Sequence, residues 1–181
     1  PAAHEIGQRL FRNNCAQCHG VDAAGQKGFR VGYPNLTDGD WLGGDGSPDY
    51  IRNTILNGRV GMMPPQAQVE PAMRTNVANY VLSLSGAAHD PVKAGLGRDT
   101  FKNVCAACHG ADGTGNKDIG APNLTDKIWL YERSEKSIVD AIEYGHMNNQ
   151  MPAHEAILTP EKVQMLTAYV WGLSHRKGDK Q

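Results

Sequence analysis

Two short stretches of the sequence carry a pair of cysteines followed directly by a histidine. They read FRNNCAQCHG and FKNVCAACHG. These residue types at this spacing could bind zinc, form disulfides, act as redox pairs or attach haem covalently. The residues concerned are Cys15, Cys18, His19, Cys105, Cys108 and His109.

The spacing of these residues favours haem attachment over the other three chemistries. A zinc site made from two such pairs usually separates them by roughly 15–20 residues, far less than the stretch from Cys18 to Cys105. A thioredoxin-type pair needs a βαβ setting, and disulfides would not explain a histidine after both pairs. In haem attachment, two thiols add to the vinyl groups and the adjacent histidine reaches the iron. We therefore predict two covalent haem c groups, with His19 and His109 as iron ligands.

Three further blocks of sequence occur twice in the same order. YPNLTDGDWL returns as APNLTDKIWL, MMP as QMP, and NYVLSLSG as AYVWGLSH. Such internal similarity indicates a duplicated domain. The segment SGAAHDPVKAG, with small residues and a proline, is typical of a linker. We predict domain 1 at 1–86, a linker at 87–94 and domain 2 at 95–181.

The helical signals are the same in both copies of the repeat. We predict helices at 49–58 and 134–145, each with a serine cap before it and a glycine at its end. Two further helices are expected at about 72–85 and 160–174, and a short helix before each cysteine pair. Alternating strand patterns are missing. The predicted fold class is all-α with long loops.

The bulk composition agrees with small domains built around a cofactor. The chain has 181 residues, a net charge of −1, 40% hydrophobic residues and 7% aromatic residues. That charge implies no nucleic-acid partner, and the lean core suggests that the porphyrin supplies apolar surface. No apolar run is long enough to span a bilayer, and the chain begins without an initiator methionine. We expect a processed product or an excised fragment.

A methionine directly before a proline recurs in both copies and is the candidate sixth iron ligand. Methionine opposite histidine raises the reduction potential of a haem, whereas an open position favours ligand chemistry. We predict Met63 and Met151 as these ligands. Met62 could compete with Met63, and His146 or Met147 could compete with Met151.

Other repeated residues are expected around the haems. The carbonyls of Pro34 and Pro122 are candidate acceptors for the ring N–H that faces away from iron. Trp41 and Trp129 either donate to a haem propionate or simply pack. Two residues are not shared by the copies: Arg59, a candidate propionate partner, and His154, a titratable group three residues after Met151.

The blocks CxxCHG, PNLTDxxWL, Met-Pro and AYVxxLS together resemble the dihaem cytochrome c subunit of cbb3-type haem–copper oxidases. The resemblance covers nearly the whole chain and implies two tandem class I cytochrome c domains with His/Met-ligated haem c. It implies an electron relay, itself without bond-making chemistry, from a donor cytochrome c toward the monohaem and catalytic subunits. It also implies a periplasmic location, with an N-terminal membrane anchor that this chain lacks.

Two other classes of dihaem protein are compatible with the duplication. One is a free periplasmic electron carrier similar to cytochrome c4, against which the NLTDxxWL block argues. The other is an enzyme such as a dihaem peroxidase or thiosulfate dehydrogenase, which needs an open or displaceable position at one iron. A methionine in each copy argues against the enzyme.

Overall fold

The computed structural model describes residues 2–28 and 32–175, and it is built mainly from helices. In chain order the helices are α1 (Ala2–Asn14), α2 (Ala16–His19), α3 (Pro48–Asn57), α4 (Pro71–Leu84), α5 (Pro91–Thr100), a π-helical turn (Phe101–Cys105), α6 (Ala106–His109), α7 (Glu135–Tyr144) and α8 (Pro160–His175). Among the described residues, no helix combines the length and apolar character needed to cross a membrane.

Four short strands among the described residues correct the all-α prediction. They are β1 (Gln26–Lys27), β2 (Gly32–Tyr33), β3 (Arg59–Met63) and β4 (His146–Met151). β1 and β2 form an antiparallel pair in which Gln26 faces Tyr33, and β3 forms a second two-stranded sheet with β4. Because these strands are short and bear few alternating apolar residues, the sequence pattern gave no sign of them. The fold is mostly helical, with small strand pairs.

The predicted helix boundaries agree with the structure where caps define them. The Ser47 hydroxyl accepts a hydrogen bond from the Tyr50 amide at 3.2 Å before α3, and Ser134 does the same for Ser137 before α7. Such caps satisfy amides that have no partner within the helix. Gly58 and Gly145 end these helices with φ of 68° and 66°, a left-handed conformation that suits glycine.

The chain forms two compact units that exchange segments of the sequence repeat. Unit 1 consists of Pro1–Val60 together with Gln150–Gln181, and unit 2 consists of Gly61–Asn149. In unit 1, α8 packs on α1 and α3; in unit 2, α4 packs on α5 and α7. This division differs from the predicted domains at 1–86 and 95–181, because each final helix packs with the other copy of the repeat. Half of the predicted linker 87–94, residues 91–94, forms the start of α5.

Each unit has its own apolar core. Phe11 of α1 and Phe101 of the π-helical turn are both completely buried and occupy the same place in the repeat. The larger side chains around Phe11 are Ile51, Ile55, Leu158, Leu166 and Tyr169. Those around Phe101 are Val69, Val77, Leu82, Ile138 and Ile142. The cores support the helices that carry the cysteines and histidines.

Candidate haem-binding sites

Each Cys-x-x-Cys-His motif forms a turn that continues from a long helix. In unit 1 the Cys15 amide donates to Phe11 O at 2.8 Å, and the His19 amide then donates to Cys15 O at 3.0 Å. In unit 2 the π-helical turn replaces this junction and leads into α6, which ends at His109. Both motifs therefore place two thiols and one imidazole on a rigid helical turn.

The two histidines make the hydrogen bond that the sequence predicted. His19 Nδ1 lies 3.0 Å from Pro34 O, and His109 Nδ1 lies 3.2 Å from Pro122 O. A carbonyl oxygen can only accept, so the proton is on Nδ1 and the lone pair of Nε2 is available to a metal. Burial lowers the pKa of both imidazoles, while the carbonyl bond partly opposes it. Burial thus favours the neutral form of both imidazoles.

The cysteines do not have the character of a redox pair. Burial, and then the neighbouring thiol, raise the pKa of Cys15 and of Cys105 to about 11 each. Redox-active thiols have lowered pKa values, because the thiolate is the reactive form. The four thiols are not joined in disulfides. Within residues 2–28 and 32–175, no three His, Cys, Asp or Glu side chains are grouped closely enough to hold a metal ion. The raised pKa values of Cys15 and Cys105 count against a redox pair.

Each Met-Pro loop lies in the unit that contains the histidine of the other copy of the repeat. Consecutive domains would instead place each loop with the histidine of its own copy. Met151 is in unit 1 with His19, whereas Met63 is in unit 2 with His109. The His154 amide donates to Ile55 O at 3.0 Å, which ties the loop after Met151 to α3. In unit 2 the Gln66 amide makes the equivalent bond to α7, since it donates to Ile142 O at 2.8 Å. Each loop is therefore anchored to a helix of the other copy.

Burial separates the competing methionines. Met62 is 63% exposed and Met147 is 46% exposed. Met63 is half-buried, and Met151 is half-buried against the core of unit 1. Successive residues of a strand point to opposite faces, so Met62 and Met63 cannot both face the same pocket. The structure favours Met63 and Met151 over their neighbours.

The remaining alternative ligand, His146, is engaged elsewhere in unit 2. Its ring stacks on Tyr131, with centroids 3.8 Å apart and planes 3° from parallel. Arg59 holds the corresponding place in unit 1, where its Nη1 donates to Gly43 O at 2.9 Å and its guanidinium lies 5.4 Å above the Tyr50 ring. Burial lowers the pKa of Arg59. Both side chains have protein partners of their own.

The two tryptophans favour packing over propionate binding. Trp129 Nε1 donates to Asp126 O at 3.0 Å, so its indole N–H has a partner in its own loop. Trp41 meets the Tyr50 ring edge-on at 6.1 Å and packs against the core of unit 1. The Asn-Leu pairs that follow Pro34 and Pro122 make equivalent backbone hydrogen bonds in the two units. The Leu36 amide donates to Ala23 O, and the Leu124 amide to Gly113 O, at 2.8 and 2.7 Å.

One buried side chain near the site of unit 1 has a ring nitrogen without a hydrogen-bond partner among the described residues. His154 is only 8% exposed, yet its Nδ1 makes no hydrogen bond. A positive charge on it would lower the pKa of His19, so the two rings are electrostatically coupled. Its counterpart in unit 2, Gln66, donates from its side chain to Pro64 O at 2.8 Å. From the sequence, a functional role for His154 was expected less than one for the repeated residues, because a lone histidine is usually a packing residue.

The residues of both units fit covalently bound haem. The fit rests on three observations: unpaired thiols on a helical turn, a buried imidazole fixed by a carbonyl, and a half-buried methionine on an anchored loop. Cys15 and Cys18, with His19 and Met151, would hold one haem. Cys105 and Cys108, with His109 and Met63, would hold the other.

Comparison with known proteins identifies the family. The family described as cytochrome c oxidase, cbb3-type, subunit III matches residues 2–81 and 93–170. The cbb3-type oxidase subunit CcoP of Rubrivivax gelatinosus is 54% identical over 96% of this chain and 56% of its own length. CcoP of Cereibacter sphaeroides is 40% identical over 94% and 61%, and FixP of Bradyrhizobium sp. is 42% identical over 97% and 62%.

The chain spans roughly three-fifths of the length of these relatives. The two matched ranges follow the two copies of the repeat, each with its cysteine pair, histidine and Met-Pro loop. With the family match covering most of its length, the chain belongs to the cytochrome c oxidase, cbb3-type, subunit III family.

Proposed function

We propose that this chain is a dihaem electron relay of a cbb3-type oxidase. It takes electrons from a donor cytochrome c and passes them toward the monohaem and catalytic subunits that reduce oxygen. The relation to oxidase subunits carries this proposal, together with a neutral, oriented imidazole in each unit. The chain itself makes and breaks no bonds in this role. We place it in the periplasm, where c-type haem is attached.

We infer that each haem takes its histidine from one copy of the repeat and its methionine from the other. The pairs are His19 with Met151 and His109 with Met63. Bound haem supplies a one-electron iron centre whose potential depends on its axial ligands and surroundings. The protein contributes the fixed orientation of the imidazoles, through Pro34 and Pro122, and a thioether on the opposite side. With a histidine and a methionine to hold each haem iron, the protein would favour electron transfer over ligand chemistry.

The proposal is tested in the assembled oxidase. Replacing Cys105 and Cys108 by alanine should abolish oxygen reduction with reduced cytochrome c as donor. Turnover with a small reductant that reaches the catalytic subunit directly should stay unchanged. Haem content, measured as pyridine haemochrome, should fall by one group per oxidase. Unchanged turnover from cytochrome c, with that haem missing, would show that electrons bypass this chain.

A further inference from the structure

An ion pair joins two helices of unit 2 close to its Met-Pro loop. Arg74 Nη1 of α4 lies 3.1 Å from Glu143 Oε2 of α7. The Arg74 side chain is only 13% exposed, so the pair is partly shielded from solvent. Water and salt screen such a pair much less than an exposed one. This pair can therefore hold α4 and α7 together.

The same guanidinium also binds the end of the Met-Pro loop. Arg74 Nε donates to Val69 O at 3.0 Å, and the Val69 amide donates to Gln66 O at 3.0 Å. Gln66 in turn donates from its side chain to Pro64 O at 2.8 Å and from its amide to Ile142 O of α7. A continuous series of hydrogen bonds thus leads from Arg74 to the proline that follows the candidate iron ligand.

The methionine of this loop lies directly on the end of α7. The backbone of Met63 and Pro64 packs so closely on Gly145 that a Cβ on this glycine would meet the carbonyl oxygen of Met63. The position of Met63 therefore depends on α7, and Arg74 binds α7 and the loop at the same time.

Unit 1 has the same loop with apolar residues in place of the ion pair. Val163 stands where unit 2 has Arg74, and Leu56 stands where unit 2 has Glu143. Val163 belongs to the core of unit 1, and Leu56 packs against it. The two Met-Pro loops are therefore supported differently at these two positions, by a charged pair in unit 2 and by apolar packing in unit 1.

We propose that Arg74 is a positioning residue that keeps Met63 on the iron of the unit 2 haem. This rests on the proposed function, because it assumes a haem held by His109 and Met63. When the loop moves, its methionine leaves a position open, and an open position favours the binding of other ligands. The bonds of Arg74 to Glu143 and Val69 oppose this movement, because breaking them leaves a partly buried charge without its partners.

The test measures how readily free imidazole displaces methionine in the oxidised dihaem protein. Loss of the sulfur–iron absorption band reports the displacement. In a Met151→Ala background, the remaining band belongs to the haem that Met63 binds. Arg74→Gln should tighten imidazole binding there by about tenfold, as expected for the loss of one hydrogen bond to a charged group. Glu143→Gln, which removes only the ion pair, should have a smaller effect in the same direction.

Two controls separate positioning from a general loosening of the protein. In a Met63→Ala background, Arg74→Gln should leave imidazole binding at the other haem unchanged. Asn79→Ala removes different hydrogen bonds of α4, to Glu135 and to the Asp90 amide, and should change imidazole binding little. An equal tightening in Asn79→Ala would show that any weakening of unit 2 releases the methionine, and it would overturn the role of Arg74.

Unchanged imidazole binding in both Arg74→Gln and Glu143→Gln would also overturn the inference. If Arg74→Gln does not keep its unit 2 haem, Glu143→Gln alone decides. Fewer than two haems per chain, or no sulfur–iron band before any substitution, would overturn the proposed ligation and this inference together. Two haems with that band and with unaltered imidazole binding would overturn the inference alone.

Discussion

Unit 1 and unit 2 share the backbone features that surround each histidine, and they differ most in the side chains around these features. The histidine–proline bond, the serine cap, the left-handed glycine and the anchored Met-Pro loop occur in both. These shared features are the ones that an iron ligand set requires. The differing residues lie around this set, where they can alter access, charge and stability without changing the ligands.

One paired difference shows how neighbouring positions change together. Unit 1 has Arg59 against the carbonyl of Gly43, and unit 2 has His146 stacked on Tyr131. In unit 1 the long side chain of Arg59 lies against the small residue Gly43. In unit 2 the flat ring of His146 lies against the aromatic ring of Tyr131. Each pair fills the space in its own unit, so exchanging only one member should disturb packing more than exchanging both.

A second difference concerns a buried polar residue that only unit 2 has. Asn79 of α4 is 2% exposed, and its Nδ2 donates to Glu135 Oε2 at 2.6 Å and to Thr75 O at 2.9 Å. Its Oδ1 accepts from the Asp90 amide at 2.8 Å. Asn79 thereby connects three helices of unit 2, whereas the equivalent position of unit 1 is Ala168.

The largest predicted effect tests whether the compact units or the copies of the sequence repeat fold independently. The fragment 61–149 contains all of unit 2 and should fold around one haem with the spectrum and potential of that unit in the full chain. The fragment 95–181 lacks Met63 and α4 and should not reproduce them. Spectra and redox titration of both fragments check this. Native behaviour of 95–181, with 61–149 unfolded, would contradict the exchange of segments.

The next prediction concerns the ligands across the repeat. With Cys105 and Cys108 replaced by alanine, the remaining haem is attached at Cys15 and Cys18. Met151→Ala should then abolish its sulfur–iron absorption band and low-spin signal. Met63→Ala should leave both intact, since Met63 belongs to unit 2. Optical and paramagnetic resonance spectra distinguish these results, and the reverse pattern would restore the pairing of consecutive domains.

A moderate effect is expected from Asn79→Ala. Removing this side chain leaves the Asp90 amide without a partner and leaves Glu135 with only Lys93, 3.8 Å away, which should lower the free energy of unfolding of unit 2 by about 2 kcal/mol. Lys136→Ala removes an exposed pair with Asp140 and should cost about 0.3 kcal/mol. Denaturant unfolding followed at the haem of each unit measures both. An equal loss in unit 1 would mean that the residue does not act locally.

The smallest predicted effect is a difference in acid sensitivity. Burial lowers the pKa of His19 and His109 below the ordinary 6.5, so the unfolded chain binds protons that the native state excludes. Stability therefore falls as pH drops below about 6.5 and continues to fall toward the lowered native pKa values. A charge on His154 increases the lowering for His19 alone.

His154→Gln should therefore make unit 1 slightly more resistant to acid and leave unit 2 unchanged. Gln66→His in unit 2 is the matched reciprocal variant. Acid unfolding of the haem-free chain, in which both imidazoles are free to take up a proton, checks both when NMR signals of each unit are followed. A shift of unit 2 on His154→Gln would argue against local coupling to His19.

Much of each site could be predicted from the sequence because it depends on residues close together in the chain. The cysteine pair and its histidine lie within one helical turn, and the Pro34 and Pro122 bonds follow from a short loop of similar length in each copy. The serine and glycine signals around α3 and α7 also act locally. The strands β1 to β4 were missed, since they depend on cross-strand partners rather than on a pattern along the chain.

The sequence by itself determined that this protein has two Cys-x-x-Cys-His turns, two histidines with a proline carbonyl as partner, and two Met-Pro loops on a mostly helical frame. Only the tertiary structure decided which loop belongs with which histidine. Both copies carry the same glycine, the same Met-Pro and similar final helices, so either pairing satisfies the local pattern. The choice depends on how α8 fits the core around Phe11 and how α4 fits the core around Phe101, and packing between distant segments decides such a choice.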